Sequence, residues 1–385
     1  MKRRTFVLGA GAFTGMGIVT ASERWQSKQT SVSAIPATRN FTVSGKATLR
    51  QRAATKGLLY GAALQSKQLE TDSVFSRAIA QECNIIVPEF ELKWRTVRPS
   101  PSVYHFAPAD KLLSFAHAHN MKTRGHTLVW HEDLPSWVDS ALNSLNAKQI
   151  LTDHISTVVK HYAGKMHSWD VVNEAIEPKD GRSDGLRNSP WLTMLGPEYI
   201  DLAFRVAAES DPKAVLTYND FGMDYDTPFG RKKRMLVLNL LHQLKANGTP
   251  IHALGIQAHL HRDNPNFNPD SFSTFLQEVA DLGLKIMITE LDLTEKKLPT
   301  DTTLRDRTIA AAYEDYLTVA LSQPAVIAVL TWGLSDRYTW LSTAEPRTDG
   351  APVRPLPLDA QMKRKLAWNA IARSLDKTTQ RSMIP

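Results

Sequence analysis

The stretch His167-Ser-Trp-Asp-Val-Val-Asn-Glu-Ala-Ile-Glu-Pro178 carries a short apolar run into an abrupt polar stop. Trp169, Val171 and Val172 are too few for a helix, and Asn173-Glu174 are polar groups that the middle of a buried strand absorbs poorly. The run therefore predicts a strand with Glu174 at its end. Residues 284–289, Leu-Lys-Ile-Met-Ile-Thr, repeat the pattern and stop at Glu290, followed by Leu291 and Asp292. One such glutamate is equally well explained as the cap of the helix that follows its strand. Two of them, each with its own polar companion, point to chemistry.

Outward from these two runs, short apolar segments alternate with amphipathic ones. The predicted strands are 58–62, 85–88, 123–129, 167–172, 214–218, 253–258, 285–289 and 326–331. The clearest helical pattern is 147–162, where Leu151, Ile155, Val158 and Tyr162 recur at helical spacing, Asn146 stands ready to cap the start and Gly164 follows the end. Eight strands alternating with helices over about 320 residues predict an α/β fold of the (β/α)8 TIM-barrel type, whose active sites gather at the C-terminal strand ends. An open doubly wound sheet would want a Gly-rich phosphate loop after an early strand, and none follows 58–62.

Composition bounds the partners. The 385 residues are 42% hydrophobic and 22% charged with a net charge of +7, enough for one large core. The excess is local: residues 1–56 hold ten basic residues against Glu23 alone, leaving 36 basic and 38 acidic residues in the rest. A nucleic-acid partner for the main body thus loses its chief support. Arg3-Arg4 before a Gly- and Ala-rich apolar segment reads as a twin-arginine export signal over 1–21, too short to span a bilayer, implying a periplasmic or extracellular protein free of the membrane after signal removal. Residues 22–46, rich in Ser, Thr, Gln and Ala, read as a linker, 47–375 as a single catalytic domain and 376–385 as a frayed polar tail. The one cysteine, Cys83, excludes an intrachain disulfide and reads as packing in an apolar run.

If the barrel holds, the strand ends face one bowl. They supply Glu89, Lys93 and Trp94; His126, Trp130 and His131; Asn173 and Glu174; Tyr218, Asn219 and Asp220; Gln257, His259 and His261; Glu290 and Asp292; Trp332 and then Trp340. Indoles that stack on apolar sugar faces, beside many hydrogen-bonding groups, suit an oligosaccharide. Paired carboxyls suit cleavage of its linkage, one protonating the leaving oxygen while the other attacks or activates water. His259-Leu260-His261 also has the spacing of a metal pair, but the two glutamates already account for His259, so neither metal nor cofactor is expected.

Six motifs, in order along the chain, strongly resemble family-ten glycoside hydrolases, the endo-β-1,4-xylanases with glutamates on strands four and seven. They are Arg124-Gly-His-Thr-Leu-Val-Trp-His131, Trp169-Asp-Val-Val-Asn-Glu174, Tyr218-Asn-Asp220, Gln257-Ala-His-Leu260, Ile288-Thr-Glu-Leu-Asp292 and Thr331-Trp-Gly-Leu-Ser-Asp336. The resemblance implies a retaining double displacement on xylan or xylo-oligosaccharides by a monomer, with Glu174 as acid/base and Glu290 as nucleophile. Asn173 would hold the 2-hydroxyl at the cleavage point, while His259, oriented by Asp292, would keep Glu290 ionised. By the same resemblance Lys93, His126, Trp130, Gln257, Trp332 and Trp340 line the subsite of the reacting sugar, Glu89 sits one sugar further out, and Tyr218 and Asn219 lie toward the leaving group. Phe90 departs from the family's usual Asn, a hydroxyl ligand, so weaker glycone binding is expected. The competing readings are a related glycosidase acting on β-1,4-glucan and a non-catalytic xylan-binding barrel.

Overall fold

The computed structural model describes residues 39–261 and 267–381. The export signal expected at 1–21 lies outside them. Eight parallel strands form the frame: β1 (Leu59–Leu64), β2 (Ile85–Pro88), β3 (Lys122–Gly125), β4 (Ser168–Asn173), β5 (Val215–Asp220), β6 (Ala253–Ile256), β7 (Lys285–Thr294) and β8 (Val326–Thr331). Each pairs with the next, β8 returns to β1, and the ring is closed. Helices separate successive strands, so the expected (β/α)8 barrel is the observed architecture.

The strands have two apolar faces, as a ring covered by helices requires. Ile86 packs outward into the main core, while Ile85 and Val87 join Ala63, Ala253, Met287, Ala328 and Leu330 in a second cluster built from strand residues, which Trp332, one residue past β8, also joins. Each fully buried aliphatic side chain contributes roughly 1.5–3 kcal/mol over its exposed state, so the barrel is a packed core and not a pore. Gly125 is needed at its place, since a Cβ there would meet the Trp169 ring at 2.1 Å.

Several boundaries differ from expectation. β3 stops at Gly125, four residues early, because Asp170 of β4 is a buried acid that draws in Arg124 and His126, and Val129 meets Val172 only as an isolated bridge. The helix Ala147–His161 forms as read, burying Leu151, Ile155 and Val158, but Asn146 does not cap it; its amide instead donates to Ala141 O at 2.8 Å. Three residues, His259–His261, add a short strand that pairs along the second half of β7. The end of the expected linker belongs to the barrel: Phe41 is buried in the core and Arg39 reaches Glu314 and Asp315 at 2.9 and 2.8 Å. The expected tail is likewise anchored, with Thr378 buried and Arg381 donating its N–H to Lys56 O at 3.0 Å. Cys83 is buried in the main core. No helix among the described residues is long and apolar enough to cross a membrane.

Candidate active site

β4 and β7 both break register where they near their glutamates, β4 against β5 between Asp170 and Val172, and β7 against β8 between Ile288 and Leu291. Such irregularities re-aim side chains. Here both carboxyls turn into one cleft of about 460 Å3 at the C-terminal strand ends.

Glu290 is nearly inaccessible and held from both sides. Its Oε1 accepts from Asn219 Nδ2 at 2.8 Å, and its Oε2 lies 3.2 Å from His259 Nε2. The other ring nitrogen of His259 is 2.8 Å from Asp292 Oδ1, and Trp340 Nε1 donates to Asp292 Oδ2 at 2.7 Å. Burial alone would raise the pKa of Glu290. The His259 hydrogen bond, the charges of His126 and His259, and the Asn219 amide outweigh burial and lower it to about 2. Burial works against the imidazolium too, yet Asp292 and Glu290 hold the pKa of His259 well above its ordinary value. Glu290 is therefore poised as a carboxylate.

Glu174 is poised the other way. Burial pushes its pKa up, with Asp220 and Glu290 adding repulsion against the opposing Gln257 hydrogen bond. Its Oε1 accepts from Gln257 Nε2 at 2.9 Å and from Asn173 Nδ2 at 3.2 Å. The backbone of Glu174 has φ +58°, a left-handed conformation that costs on the order of 1–2 kcal/mol for a side-chain-bearing residue. Two hydrogen bonds hold it there: its N–H donates to Asn219 O at 2.8 Å and its carbonyl accepts from Arg187 Nε at 2.7 Å.

The two carboxyls are joined by amides. Asn219 Nδ2 donates to Glu290 and also to Asn173 Oδ1 at 2.8 Å, while Asn219 Oδ1 accepts from Thr289. Gly255 leaves room for this, since a Cβ there would lie 2.2 Å from Asn219 Oδ1. Glu89, Lys93, His126, Trp130, Asn173, Glu174, Gln257, His259, Glu290, Trp332 and Trp340 all line the cleft, as the strand ends predict. Lys93 lies over the rings of Phe90, Trp130 and Trp332 at 4.8, 5.0 and 5.9 Å.

Tyr218 and Asn219 require correction. Both are fully buried beneath the cleft, Tyr218 donating its hydroxyl to Asp220 and Asn219 bracing the two acids, so neither lines it. The cleft wall also contains Phe221, Asp224 and Tyr225, with Arg187 beside Glu174; sequence reading misses these four. Asp170 is also missed, although its place between Arg124 and His126 fixes the ring that faces Trp332. Both nitrogens of His259 face carboxylates, and no group of three or more metal-ligating side chains is placed to hold an ion among the described residues.

A closed (β/α)8 barrel with two such acids, one just after strand four and one on strand seven, opening into one cleft is the framework of a glycoside hydrolase. The sequence profile of glycosyl hydrolase family 10 matches residues 48–374, and the chain belongs to that family. An endo-1,4-beta-xylanase B from Thermotoga neapolitana is 37% identical over 264 residues, 68% of this chain and 72% of that one. The crystal structure of xylanase 10B from Thermotoga petrophila in complex with xylobiose superposes with a TM-score of 0.79 at 34% identity, covering 87% of this chain and 99% of that one. A protein from Acetivibrio thermocellus named exoglucanase XynX is 32% identical over 327 residues, 81% of this chain but 28% of that longer one.

Proposed function

We propose that the chain is an endo-β-1,4-xylanase that hydrolyses internal xylosidic bonds with net retention. The observation that carries this is the pairing, within one cleft, of a buried acid whose pKa is raised by burial with a second whose pKa is lowered to about 2 by its hydrogen bonds and neighbouring charges. Glu174 gives its proton to the leaving glycosidic oxygen as Glu290 Oε attacks the anomeric carbon, so the C–O bond breaks as a glycosyl ester forms. Esterification removes the negative charge of Glu290, the pKa of Glu174 falls, and the same carboxylate takes a proton from the incoming water. The water oxygen displaces Glu290, and both acids return to their starting states. Asn173, already hydrogen-bonded to Glu174 and Asn219, is placed to hold the 2-hydroxyl as oxocarbenium character develops. Xylan and its oligosaccharides are the substrate class that the xylanase-named relatives and the xylobiose-bound neighbour support.

The relative named exoglucanase favours a second reading, hydrolysis of β-1,4-glucan. Comparing release of reducing ends from xylan and from carboxymethylcellulose decides between them. Faster action on the cellulose derivative would overturn the xylanase reading, and no action on either would favour a binding protein.

Phe90 bears on the glycone side. It is 43% exposed in the cleft wall next to Glu89, whose carboxyl accepts from Gln65 Nε2 at 3.0 Å. An aromatic ring offers a sugar no hydrogen-bond partner. Phe90→Asn is expected to tighten glycone binding, lowering KM for xylotriose roughly three- to tenfold, the worth of about one hydrogen bond, and to shift its cleavage pattern. An unchanged product ratio and KM would remove Phe90 from the specificity account.

We also propose export by the twin-arginine route, supported by Arg3-Arg4 and the mildly apolar segment behind them. Replacing both by lysine is expected to leave activity in the cytoplasmic fraction, and undiminished export would refute the route.

A further inference from the structure

We infer that Arg187 is a positioning residue for the acid/base, holding Glu174 in its left-handed backbone conformation and presenting a guanidinium to the carboxyl oxygen that no amide holds. The inference rests on the reading of Glu174 as the proton donor. Residues 174–187 leave the end of β4 and return to it: Ile176 and Leu186 bridge antiparallel, and the N–H of Arg187 donates to Ala175 O at 2.7 Å. The return brings Arg187 opposite Glu174. Its Nε donates to Glu174 O at 2.7 Å, and its Nη2 lies 4.0 Å from Glu174 Oε2 and 3.3 Å from Glu177 Oε2. The side chain is 14% exposed, so these contacts are largely shielded from water.

The geometry divides the labour around Glu174. Oε1 is occupied by Gln257 and Asn173. Oε2 is left with the Arg187 guanidinium near it but beyond hydrogen-bond distance, so the cation favours the carboxylate formed when the proton leaves without donating to that oxygen. Glu177 sits on the same guanidinium and offsets part of its charge. The Nε contact is the only one of the three that acts on the backbone of Glu174, and the left-handed φ there is a conformation that an unclamped glutamate leaves readily. Without Arg187, the acid swings away from the glycosidic oxygen while Glu290, braced by Asn219 and His259, stays in place.

This separates a positioning role from a merely structural one. Cleavage of a xylo-oligosaccharide expels a sugar alkoxide and needs the proton, whereas a 2,4-dinitrophenyl xylobioside expels a phenolate stable without it. For Arg187→Met, kcat/KM on xylopentaose is expected to fall about tenfold, a fraction of the full value of general acid catalysis, and on the dinitrophenyl substrate by less than about twofold. Arg187→Lys, which keeps a cation but cannot serve the carbonyl and the carboxyl together, is expected to show the same selectivity at roughly one third the size. It carries the test should the methionine variant not fold. Equal losses on the two substrates, or no loss on either, overturn the proposal. Glu174→Ala measured alongside separates the failures: if it too is unselective, the reading of Glu174 falls and Arg187 with it. A selective Glu174→Ala beside an unselective Arg187→Met overturns Arg187 alone.

Discussion

Glu290→Gln is expected to abolish turnover, lowering kcat/KM on xylan and on activated aryl xylobiosides alike by about 10^5-fold, or roughly 7 kcal/mol of lost transition-state stabilisation. The substitution is nearly isosteric, so the surroundings survive. The amide oxygen can still accept from Asn219, and Asp292 still orients His259 and accepts from Trp340. What disappears is the carboxylate whose pKa is lowered to about 2, and with it the lone pair that, on the proposed mechanism, attacks the anomeric carbon. Because the first step has no other nucleophile, the quality of the leaving group is immaterial. Circular dichroism should match the parent, showing that the loss is chemical. Cutting the side chain further, to Gly, opens space for azide, which would yield an α-glycosyl azide from the β-linked substrate by a single inversion. More than about 1% residual kcat/KM in the Gln variant, when loss of an attacking group removes several orders of magnitude, would exclude Glu290 as the nucleophile.

Both acids are legible in the sequence for a physical reason. An ionisable group cannot sit inside a packed strand without partners, so a carboxylate directly after an apolar run marks the point where a strand meets the solvent bowl of a barrel. That logic works for Glu174, which follows the last residue of β4, and for Gln257 and Trp332; Glu290 reaches the same cleft although β7 runs on past it to Thr294, its carboxyl being satisfied by Asn219 and His259. It fails for Tyr218 and Asn219, which look like the same polar stop. β5 runs on to Asp220, and the three polar residues are absorbed by one another, by buried Lys233 at 2.7 Å from Asp220, and by the two acids above. Nothing local distinguishes a polar triplet that ends a strand from one that is satisfied within it; the difference lies in partners 13 to 71 residues away. Asp170 is invisible for the same reason, its partners Arg124 and His126 lying on β3 and just past its end. Arg187 is missed because a loop arginine has no periodic signature, and only the closed hairpin of 174–187 brings it back to the acid. The ends of the domain mislead differently. Composition correctly reports few large apolar groups in 22–46, but Phe41 in the core, Val43 against it, the Arg39 ion pairs and the hydrogen bonds of Arg373 to Thr42 O and Arg52 to Ser44 O dock residues 39–46 on the barrel.

Glu174→Ala gives the second large effect, and its signature is pH. On the proposed mechanism, the parent acts with Glu290 ionised and Glu174 protonated. Activity therefore rises as pH passes the depressed pKa of Glu290, near 2, and falls as pH passes the raised pKa of Glu174. The raised value comes from burial with Asp220 and Glu290 close by, so the basic limb must lie above the ordinary glutamate range and the working window must extend toward neutrality. Removing the carboxyl removes the group that sets the basic limb. For Glu174→Ala, kcat/KM on xylan is expected to fall about 10^2- to 10^4-fold, the usual worth of general acid catalysis, while the basic limb of the profile disappears. Glu290 is then relieved of its neighbour's demand for a proton, and the acidic limb stays where His259, His126 and Asn219 hold it. Azide should restore turnover of an activated aryl xylobioside and release a β-glycosyl azide, since it attacks an intact glycosyl ester on Glu290 from the face that Glu174 vacated. A variant that keeps the descending limb would show that some other group carries the proton, with Glu177 the nearest acid on the same loop.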